Sequence, residues 1–341
     1  MFDWREAVSA LQNAYRANAD PRATPPRTIA SSGKASLRCL SAAPAGQRYF
    51  GAKVMGFDSG APSPAVQYVI VLFDRETSRI AAFVDADKVT GFRTAATSAA
   101  ALDKIAPKGP LKLAVLGSGL EAIMHTRAFA AVRDLAGIAV FSPTEAKREA
   151  FARDIGVELG IPARPVAVPE DAVRDADIVL SAARSHGEKP ILYGDWIKPG
   201  AVIVSIGSTV PSQREVDISV VAKADLIVCD VVHEVVEETG DMIAAAEAGI
   251  DVQRKCHSIE ALMRGELGEQ LVAARNPMFK SVGGGLQDVV VAGIVFDRAL
   301  ATGNAVQLPI EISAKSLGSS RRRNSCSLIP SMMPATGLAK S

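Results

Sequence analysis

The segment around residue 117 constrains the fold more than any other part of the chain. It reads Leu113-Ala-Val-Leu-Gly-Ser-Gly-Leu-Glu-Ala-Ile-Met-His, an apolar stretch followed by the pattern Gly-x-Gly-x-x-Ala. The first glycine permits a tight turn, the second lets the backbone approach a pyrophosphate, and the small third residue lets a helix pack closely on a strand. The N–H groups and the positive dipole end of that helix then hold phosphates. The pattern predicts a dinucleotide site formed by Gly117, Ser118, Gly119, Leu120, Glu121 and Ala122.

The sequence on either side of this turn alternates between short apolar stretches and helical ones. Helices are predicted over Ala122–Val132 and Thr144–Leu159. The predicted strands are Lys112–Leu116, Ile138–Phe141, Pro165–Val168, Ile178–Ser181, Val202–Ile206 and Leu226–Cys229. Such alternation is typical of a parallel sheet that is covered by helices on both faces. The expected fold class is therefore α/β, with a doubly wound sheet of Rossmann type.

The parts outside this region follow other patterns. Strands are predicted before it, over Tyr49–Phe57, Val66–Phe73 and Ile80–Asp85, and they indicate an antiparallel sheet. Helices are predicted over 3–18, Thr94–Ile105, 257–265 and 286–302. Residues 318–341 are rich in Ser, Arg and Pro without periodicity, so we expect a disordered tail.

Charge and cysteine content exclude several classes of protein. The 38 basic and 37 acidic residues give a net charge of +1, which argues against a nucleic-acid binder because phosphate neutralisation needs a basic field. The four cysteines are scattered without a CxxC pair, so we expect no disulfide framework, no metal site and a cytoplasmic protein with reduced thiols. No apolar run approaches the roughly 18 residues that span a bilayer, so we expect no membrane segment.

The residues after the second Rossmann strand bear on the choice of cofactor. An acid at that strand tip would bind the ribose 2′-hydroxyl of NAD(H). This chain has Ser142, Pro143 and Thr144 there, followed by Lys147 and Arg148. Hydroxyls and basic groups suit a 2′-phosphate, so NADP(H) is preferred and NAD(H) is the alternative. The alternative role of Lys147 and Arg148 is that of solvated helix residues.

Two basic residues in the N-terminal part are candidates for binding a substrate. Arg93 falls where the predicted helix Thr94–Ile105 begins, and a cation there opposes the helix dipole unless an anion is bound nearby. Alternation places Lys53 on a mostly apolar strand face, where burial would lower its pKa and suit it to acid–base catalysis. The alternatives are an exposed arginine and an edge-strand lysine that blocks aggregation.

Taken together, five segments of the chain resemble the ornithine cyclodeaminase/mu-crystallin family. They are Gly91-Phe-Arg-Thr-Ala-Ala-Thr-Ser-Ala-Ala-Ala, Val115-Leu-Gly-Ser-Gly-Leu-Glu-Ala, Pro26-Arg27, Gly51-Ala-Lys53, and Phe279-Lys-Ser-Val-Gly283 with Gln287-Asp288. The resemblance covers about residues 3–315. It implies a substrate-binding and dimerisation domain split between 1–110 and 286–317, a Rossmann domain over 111–285, and a homodimer.

The resemblance also implies roles for individual residues. Arg27 and Arg93 would hold an amino-acid carboxylate, and Lys53 would bind the substrate and move protons. Ser208, Lys280 and Gly283 join the expected cofactor contacts. Thr209 takes the place of an aspartate that cyclodeaminases of the family carry, and its hydroxyl cannot act as a base near pH 7.

The resemblance leaves three functions open. The preferred one is an NAD(P)H-dependent reductase of a cyclic 2-imino acid, such as pyrroline- or piperideine-2-carboxylate, which in reverse is an amino-acid dehydrogenase. The first alternative is an ornithine- or lysine-type cyclodeaminase, an ammonia-lyase with bound NAD. The second is a crystallin-like binding protein with weak catalysis. The expected partner in each case is a small molecule.

Overall fold

A computed structural model describes residues 3–63, 65–183, 189–309 and 312–313. The architecture below concerns the compact unit that ends at Val306. It contains a five-stranded antiparallel sheet and an eight-stranded parallel sheet. No helix among the described residues is both long enough and apolar enough to cross a membrane. The tail predicted over 318–341 lies outside the described residues.

The antiparallel sheet has its strands in chain order. They are β1 (Thr28–Ser32), β2 (Ala35–Ala42), β3 (Tyr49–Asp58), β4 (Val66–Asp74) and β5 (Ile80–Asp85). The last three agree with the predicted strands, whereas β1 and β2 are not among the predicted strands. All five residues of β1 are exposed, and the more buried face of β2 carries the polar residues Ser36 and Arg38, so neither sequence shows the apolar alternation that reveals a half-buried strand.

Two helices flank this sheet in the chain, α1 (Trp4–Ala17) and α2 (Asp87–Ile105). The helix α2 begins seven residues before the predicted start at Thr94. The Asp85 carboxylate accepts a hydrogen bond from the Asp87 backbone N–H, at 3.1 Å, and so supports this earlier start. Arg93 consequently lies in the second turn, and the predicted conflict between its charge and the helix dipole is wrong.

The parallel sheet has the order β12-β11-β13-β10-β9-β6-β7-β8. Its strands are β6 (Leu111–Leu116), β7 (Leu135–Phe141), β8 (Ala163–Val166), β9 (Ile178–Ser181), β10 (Val202–Ser205), β11 (Leu226–Cys229), β12 (Cys256–Ser258) and β13 (Pro277–Lys280). The helices are α3 (Leu120–Val132), α4 (Glu145–Leu159), α5 (Pro169–Val173), α6 (Ile218–Lys223), α7 (Val232–Glu238), α8 (Gly240–Glu247), α9 (Val252–Lys255), α10 (Ile259–Arg264), α11 (Gly268–Ala273) and α12 (Gly285–Ala301). The predicted α/β fold class is confirmed, although β12 and β13 are not among the predicted strands.

The order of strands reverses between β6 and β9. From β6 the chain proceeds outwards through β7 and β8, and it then returns to the other side of β6 at β9. In open α/β sheets, ligands bind in the crevice at such a switch point, beyond the carboxyl ends of the strands. The glycine turn follows β6 and therefore lies at this crevice.

The helix α12 packs against the antiparallel sheet although it follows the last strand of the parallel one. Two of its glycines allow a close approach. A Cβ on Gly285 would lie 2.4 Å from the Ser41 carbonyl oxygen on β2, and one on Gly293 would lie 2.9 Å from the Tyr49 ring on β3. This packing places the first turn of α12 beneath the middle of β3. The predicted domain boundaries, 1–110 with 286–317 and 111–285, stay a prediction.

Candidate active site

The glycine turn contains two glycines with different surroundings. Gly117 has a φ of +125°, and a Cβ there would lie 2.5 Å from the Ala182 carbonyl oxygen after β9. Gly119 has a φ of −83°, and a Cβ there would meet no heavy atom within 4 Å. A glycine is thus required at position 117 by the packing of the turn against Ala182. At position 119 the missing side chain instead leaves open space before the first turn of α3. Such a cradle fits a pyrophosphate.

A cavity lies beside this turn at the tip of β7. It is lined by residues that include Ser118, Gly119, Ser142, Pro143, Thr144 and Lys147. The Ser118 hydroxyl donates to the Ser142 hydroxyl at 2.9 Å and so links the turn to the strand tip. Glu158 lines the same cavity, and its carboxylate is paired with Arg127 at 2.6 Å.

Arg148 lies at the same strand tip. Its guanidinium donates to the Ser142 carbonyl at 3.3 Å and contacts Glu145 at 3.2 Å. Glu145 is largely exposed, so this second contact is weak. The hydroxyl and basic groups predicted to surround the ribose are therefore gathered at one place.

A second cavity lies between the carboxyl ends of the parallel strands and the inner face of the antiparallel sheet. Its lining includes Arg27, Arg38, Lys53, Tyr68, Arg93, Glu121, Gly207, Thr209 and Gly283. The structure thus brings together the four predicted catalytic residues Arg27, Lys53, Arg93 and Thr209. Arg38 and Tyr68 are additional lining residues that are not among the predicted site residues.

Asp288, in the first turn of α12, binds two of these cations. Its Oδ1 atom lies 2.9 Å from Lys53 Nζ and 2.8 Å from Arg93 Nε. All three side chains are buried, and Lys53 is only 3% exposed. Because one carboxylate serves two cations, the group of Lys53, Asp288 and Arg93 carries a net charge of +1 when Lys53 is protonated. A substrate carboxylate would compensate that charge.

Burial also changes the acidity of Lys53. Desolvation is the main cause that lowers its pKa, to about 8, and the nearby Arg93 guanidinium lowers it further. Asp288 acts in the opposite direction, since it stabilises the ammonium form. A lysine with this pKa is able to donate a proton and recover it near neutral pH.

A chain of hydrogen bonds holds the Arg93 guanidinium in place. Arg93 donates to Gln287 Oε1 at 2.8 Å, and Gln287 donates to Asp230 Oδ2 at 2.9 Å. Asp230 also accepts from the Gly283 backbone N–H at 2.8 Å. Gly283 has a φ of +83°, and a Cβ there would lie 2.6 Å from Arg93 Nη1. Gly283 therefore makes room for Arg93.

Arg27 reaches the cavity with its charge already paired. Its guanidinium lies 2.7 Å from Glu234 and 3.2 Å from Glu238, both on α7. Its backbone N–H also donates to Glu234, at 2.9 Å. Arg27 thus lines the cavity as predicted, but a substrate carboxylate would have to share it with Glu234.

Two predicted cofactor contacts are placed elsewhere. Lys280 is fully buried, and its ammonium donates to Asp241 and to Ser205, each at 2.9 Å. Ser208 is also buried, and its hydroxyl donates to the Gln213 carbonyl. Neither side chain lines the two cavities, so the predicted contact of Lys280 and Ser208 with the cofactor is not supported. Lys280 instead forms a buried ion pair at the end of β13.

Glu215 is a buried residue of this region that is not among the predicted site residues. Its carboxylate accepts from the backbone N–H groups of Ala183, at 2.9 Å, and Gly207, at 2.8 Å. It thereby ties the loop after β9 to the loop after β10, which carries Thr209. Burial raises the pKa of Glu215 to about 7. No local pattern marks this position, because Gly207 lies eight residues away in the same loop and Ala183 comes from another loop.

The fold and these cavities define a Rossmann-type dinucleotide-binding protein with a cationic substrate pocket. The glycine turn contributes to both cavities, since Ser118 and Gly119 line one and Glu121 lines the other. A family model for the ornithine cyclodeaminase/mu-crystallin family matches residues 2–303. The chain therefore belongs to that family, and the predicted resemblance is confirmed.

Three similar proteins illustrate the family. Ketimine reductase mu-crystallin of Mus musculus is 30% identical over 240 residues, which cover 69% of this chain and 70% of that protein. Delta(1)-pyrroline-2-carboxylate reductase of Bacillus cereus is 28% identical over 236 residues, covering 69% and 72%. An archaeal alanine dehydrogenase, solved as a dimer with bound NAD, has a TM-score of 0.76 and 25% identity and covers 89% of this chain and 93% of its own.

The two glycines of the turn should respond differently to alanine. Gly117→Ala places a Cβ against the Ala182 carbonyl and should lower the free energy of unfolding by about 1–3 kcal/mol. Gly119→Ala should leave stability nearly unchanged but weaken dinucleotide binding at least about tenfold, roughly 1.4 kcal/mol, because the methyl group fills the cradle. Thermal unfolding and a fluorescence titration with NADPH measure the two effects. Wild-type affinity in Gly119→Ala would show that the pyrophosphate does not approach this backbone.

Proposed function

We propose that this protein is an NAD(P)H-dependent reductase that acts on the C=N bond of a 2-imino acid. The observation that carries the proposal is the group of Lys53, Arg93 and Asp288 in the pocket beside the glycine turn. It offers a proton donor next to a guanidinium that suits a carboxylate. The names of the relatives, ketimine reductase and Delta(1)-pyrroline-2-carboxylate reductase, support the same reaction class.

Different residues of the pocket serve different steps of such a reduction. A bound reduced nicotinamide supplies the hydride for the imine carbon. Lys53 Nζ donates a proton to the imine nitrogen, and Asp288 stabilises the ammonium form from which the proton comes. Arg93, fixed by Gln287, holds the substrate carboxylate and so orients the C=N bond. In the reverse direction Lys53 accepts the proton.

We propose NADP(H) as the preferred cofactor, with NAD(H) as the alternative. Ser142, Thr144, Lys147 and Arg148 supply hydroxyl and basic groups at the tip of β7, where a 2′-phosphate would lie. Their grouping supports this choice. The bound NAD of the alanine dehydrogenase supports the broader cofactor class.

A cyclodeaminase is the main alternative. Thr209 lines the pocket at the position where cyclodeaminases carry an acid, and a hydroxyl does not accept a proton near pH 7. A binding protein without catalysis is the second alternative. The buried Lys53–Asp288 pair counts against it, because mere binding of a carboxylate requires no lysine with a pKa near 8.

The test measures absorbance of NADPH and NADH with pyrroline-2-carboxylate and piperideine-2-carboxylate, and ammonia release from L-ornithine. We expect imine-dependent oxidation, faster with NADPH, and no ammonia. Lys53→Met should lower kcat by about 10²–10⁴-fold, because the proton donor is lost, while dinucleotide affinity persists. Lys34→Met, which changes an exposed lysine between β1 and β2, is the matched control.

Other outcomes of this assay would replace the proposal. Ammonia release without net cofactor change would establish the cyclodeaminase. An unchanged rate in Lys53→Met would remove Lys53 from the mechanism. Equal or better rates with NADH would overturn only the preference for NADP(H) and would leave the proposed reaction unchanged.

We propose further that the protein is a homodimer joined through the outer face of the antiparallel sheet. This face, opposite α12, includes Leu37, Val54, Val71 and Phe83, of which Leu37 is 50% and Phe83 is 46% exposed. A contiguous apolar sheet face of this kind is typical of a protein interface. Sedimentation velocity should give twice 35.7 kDa, and Phe83→Glu should shift the protein toward a monomer. A monomeric wild-type protein at micromolar concentration would refute the dimer.

A cytoplasmic location also belongs to this proposal. Cys39, Cys229 and Cys256 are free thiols in the structure. Free thiols are typical of proteins in reducing compartments. Fractionation of cells that express the protein would test the location, and recovery outside the cytoplasm would contradict it.

A further inference from the structure

Arg38 is a pocket residue for which the reaction proposed above has no use. It lies on β2, where it pairs with Met55 on β3, and Met55 pairs with Tyr68 on β4. The three side chains line the substrate pocket as one row across the sheet. Arg38 thus faces the pocket because of the strand register.

The neighbouring row contains Lys53. Lys53 pairs with Leu40 on β2, two residues after Arg38. Two residues of an antiparallel strand span about 7 Å, so the rows of Lys53 and Arg38 are separated by about that distance. The pocket therefore has a cation at each of two places, Lys53 with Arg93 at one and Arg38 at the other.

Arg38 differs from the other cations of the pocket in its partners. Arg27 is paired with Glu234, and Lys53 and Arg93 share Asp288. Within the described parts of the chain, no carboxylate lies within ion-pair distance of Arg38. Glu121, on α3, is an acid of the same lining, and it lies beside the glycine turn near His125.

The surroundings of Arg38 make an anion favourable there. Its side chain is half-buried, and burial followed by the repulsion from Arg27 lowers its pKa. The carboxylates of Glu234 and Glu238 act in the opposite direction, but they are paired with Arg27. A guanidinium that has lost part of its hydration gains most from a bidentate carboxylate. The phenol of Tyr68 in the same row offers a further hydrogen-bond donor.

We propose that the substrate is a 2-imino acid with a second carboxylate, which Arg38 binds. This inference rests on the proposed function and names its substrate class. An oxo diacid and ammonia condense to the imine with loss of water. Hydride from the reduced nicotinamide then adds to the imine carbon, a proton from Lys53 adds to the nitrogen, and an amino diacid and oxidised dinucleotide result.

The test compares imines formed in ammonium buffer from oxaloacetate, 2-oxoglutarate and pyruvate, with pyrroline-2-carboxylate as the cyclic substrate. Initial rates of NADPH oxidation give kcat/KM for each. We expect the wild-type protein to prefer a diacid over pyruvate by about 10- to 100-fold, the range of a hydrogen bond to a charged group. Arg38→Met should reduce this ratio by a similar factor, and Arg38→Lys should restore part of it.

Controls separate this inference from the proposed function. Arg79→Met changes an exposed arginine between β4 and β5 and should keep the wild-type ratio. Melting temperature and NADPH affinity verify that each variant is folded. This inference is overturned, while the reductase stands, if kcat/KM for pyruvate or for the cyclic imine equals that for the diacids. The same holds if Arg38→Met leaves the diacid-to-pyruvate ratio of kcat/KM unchanged. If no imine is reduced, both fail.

Discussion

The Asp288 carboxylate between Lys53 and Arg93 is the interaction on which the rest of the site depends. A buried cation without a partner costs several kcal/mol, so two such cations require a carboxylate at this place. That carboxylate comes from α12, which reaches β3 because Gly285 and Gly293 allow close packing. The last helix of the chain thus completes a pocket whose first residues belong to the antiparallel sheet.

This dependence explains how one pocket combines binding and proton transfer. Arg93 is held by Asp288 on one side and Gln287 on another, so its guanidinium is oriented before a substrate arrives. Lys53 shares the same acid, and burial keeps its pKa near 8. Preorganised charges of this kind contribute to catalysis because they need no reorganisation during the reaction. The net positive charge of Lys53, Asp288 and Arg93 is available to bind the substrate carboxylate.

The parts of the fold that follow local rules are predictable from the sequence. The glycine turn and its strand are marked by a pattern within ten residues, and burial of Lys53 follows from strand alternation. The start of α2 is not visible in the apolar pattern, because Asp85 supports it from outside that pattern. The ion pair of Lys280 is not visible in the sequence, because its partner Asp241 lies far away in the chain.

Other features depend on contacts that no single segment encodes. Arg38 faces the pocket only through the register of β2 on β3, and the sequence of β2 shows no clear alternation of apolar and polar residues. Glu215 binds N–H groups of two separate loops. The resemblance to the family marks Gln287 and Asp288 as a motif, whereas the contact of Asp288 with both Lys53 and Arg93 depends on the packing of α12 against β3.

The pH dependence of imine reduction by wild-type protein and by Asp288→Asn tests the central claim most directly. Reduction requires the ammonium form of Lys53, so kcat/KM should be constant below about pH 8 and fall as the pH rises through the Lys53 pKa. Asp288 raises that pKa, and its neutral replacement should therefore move the break to lower pH. A break at the same pH in both proteins would contradict this role of Asp288, because Asp288 would then have no effect on the pKa of Lys53.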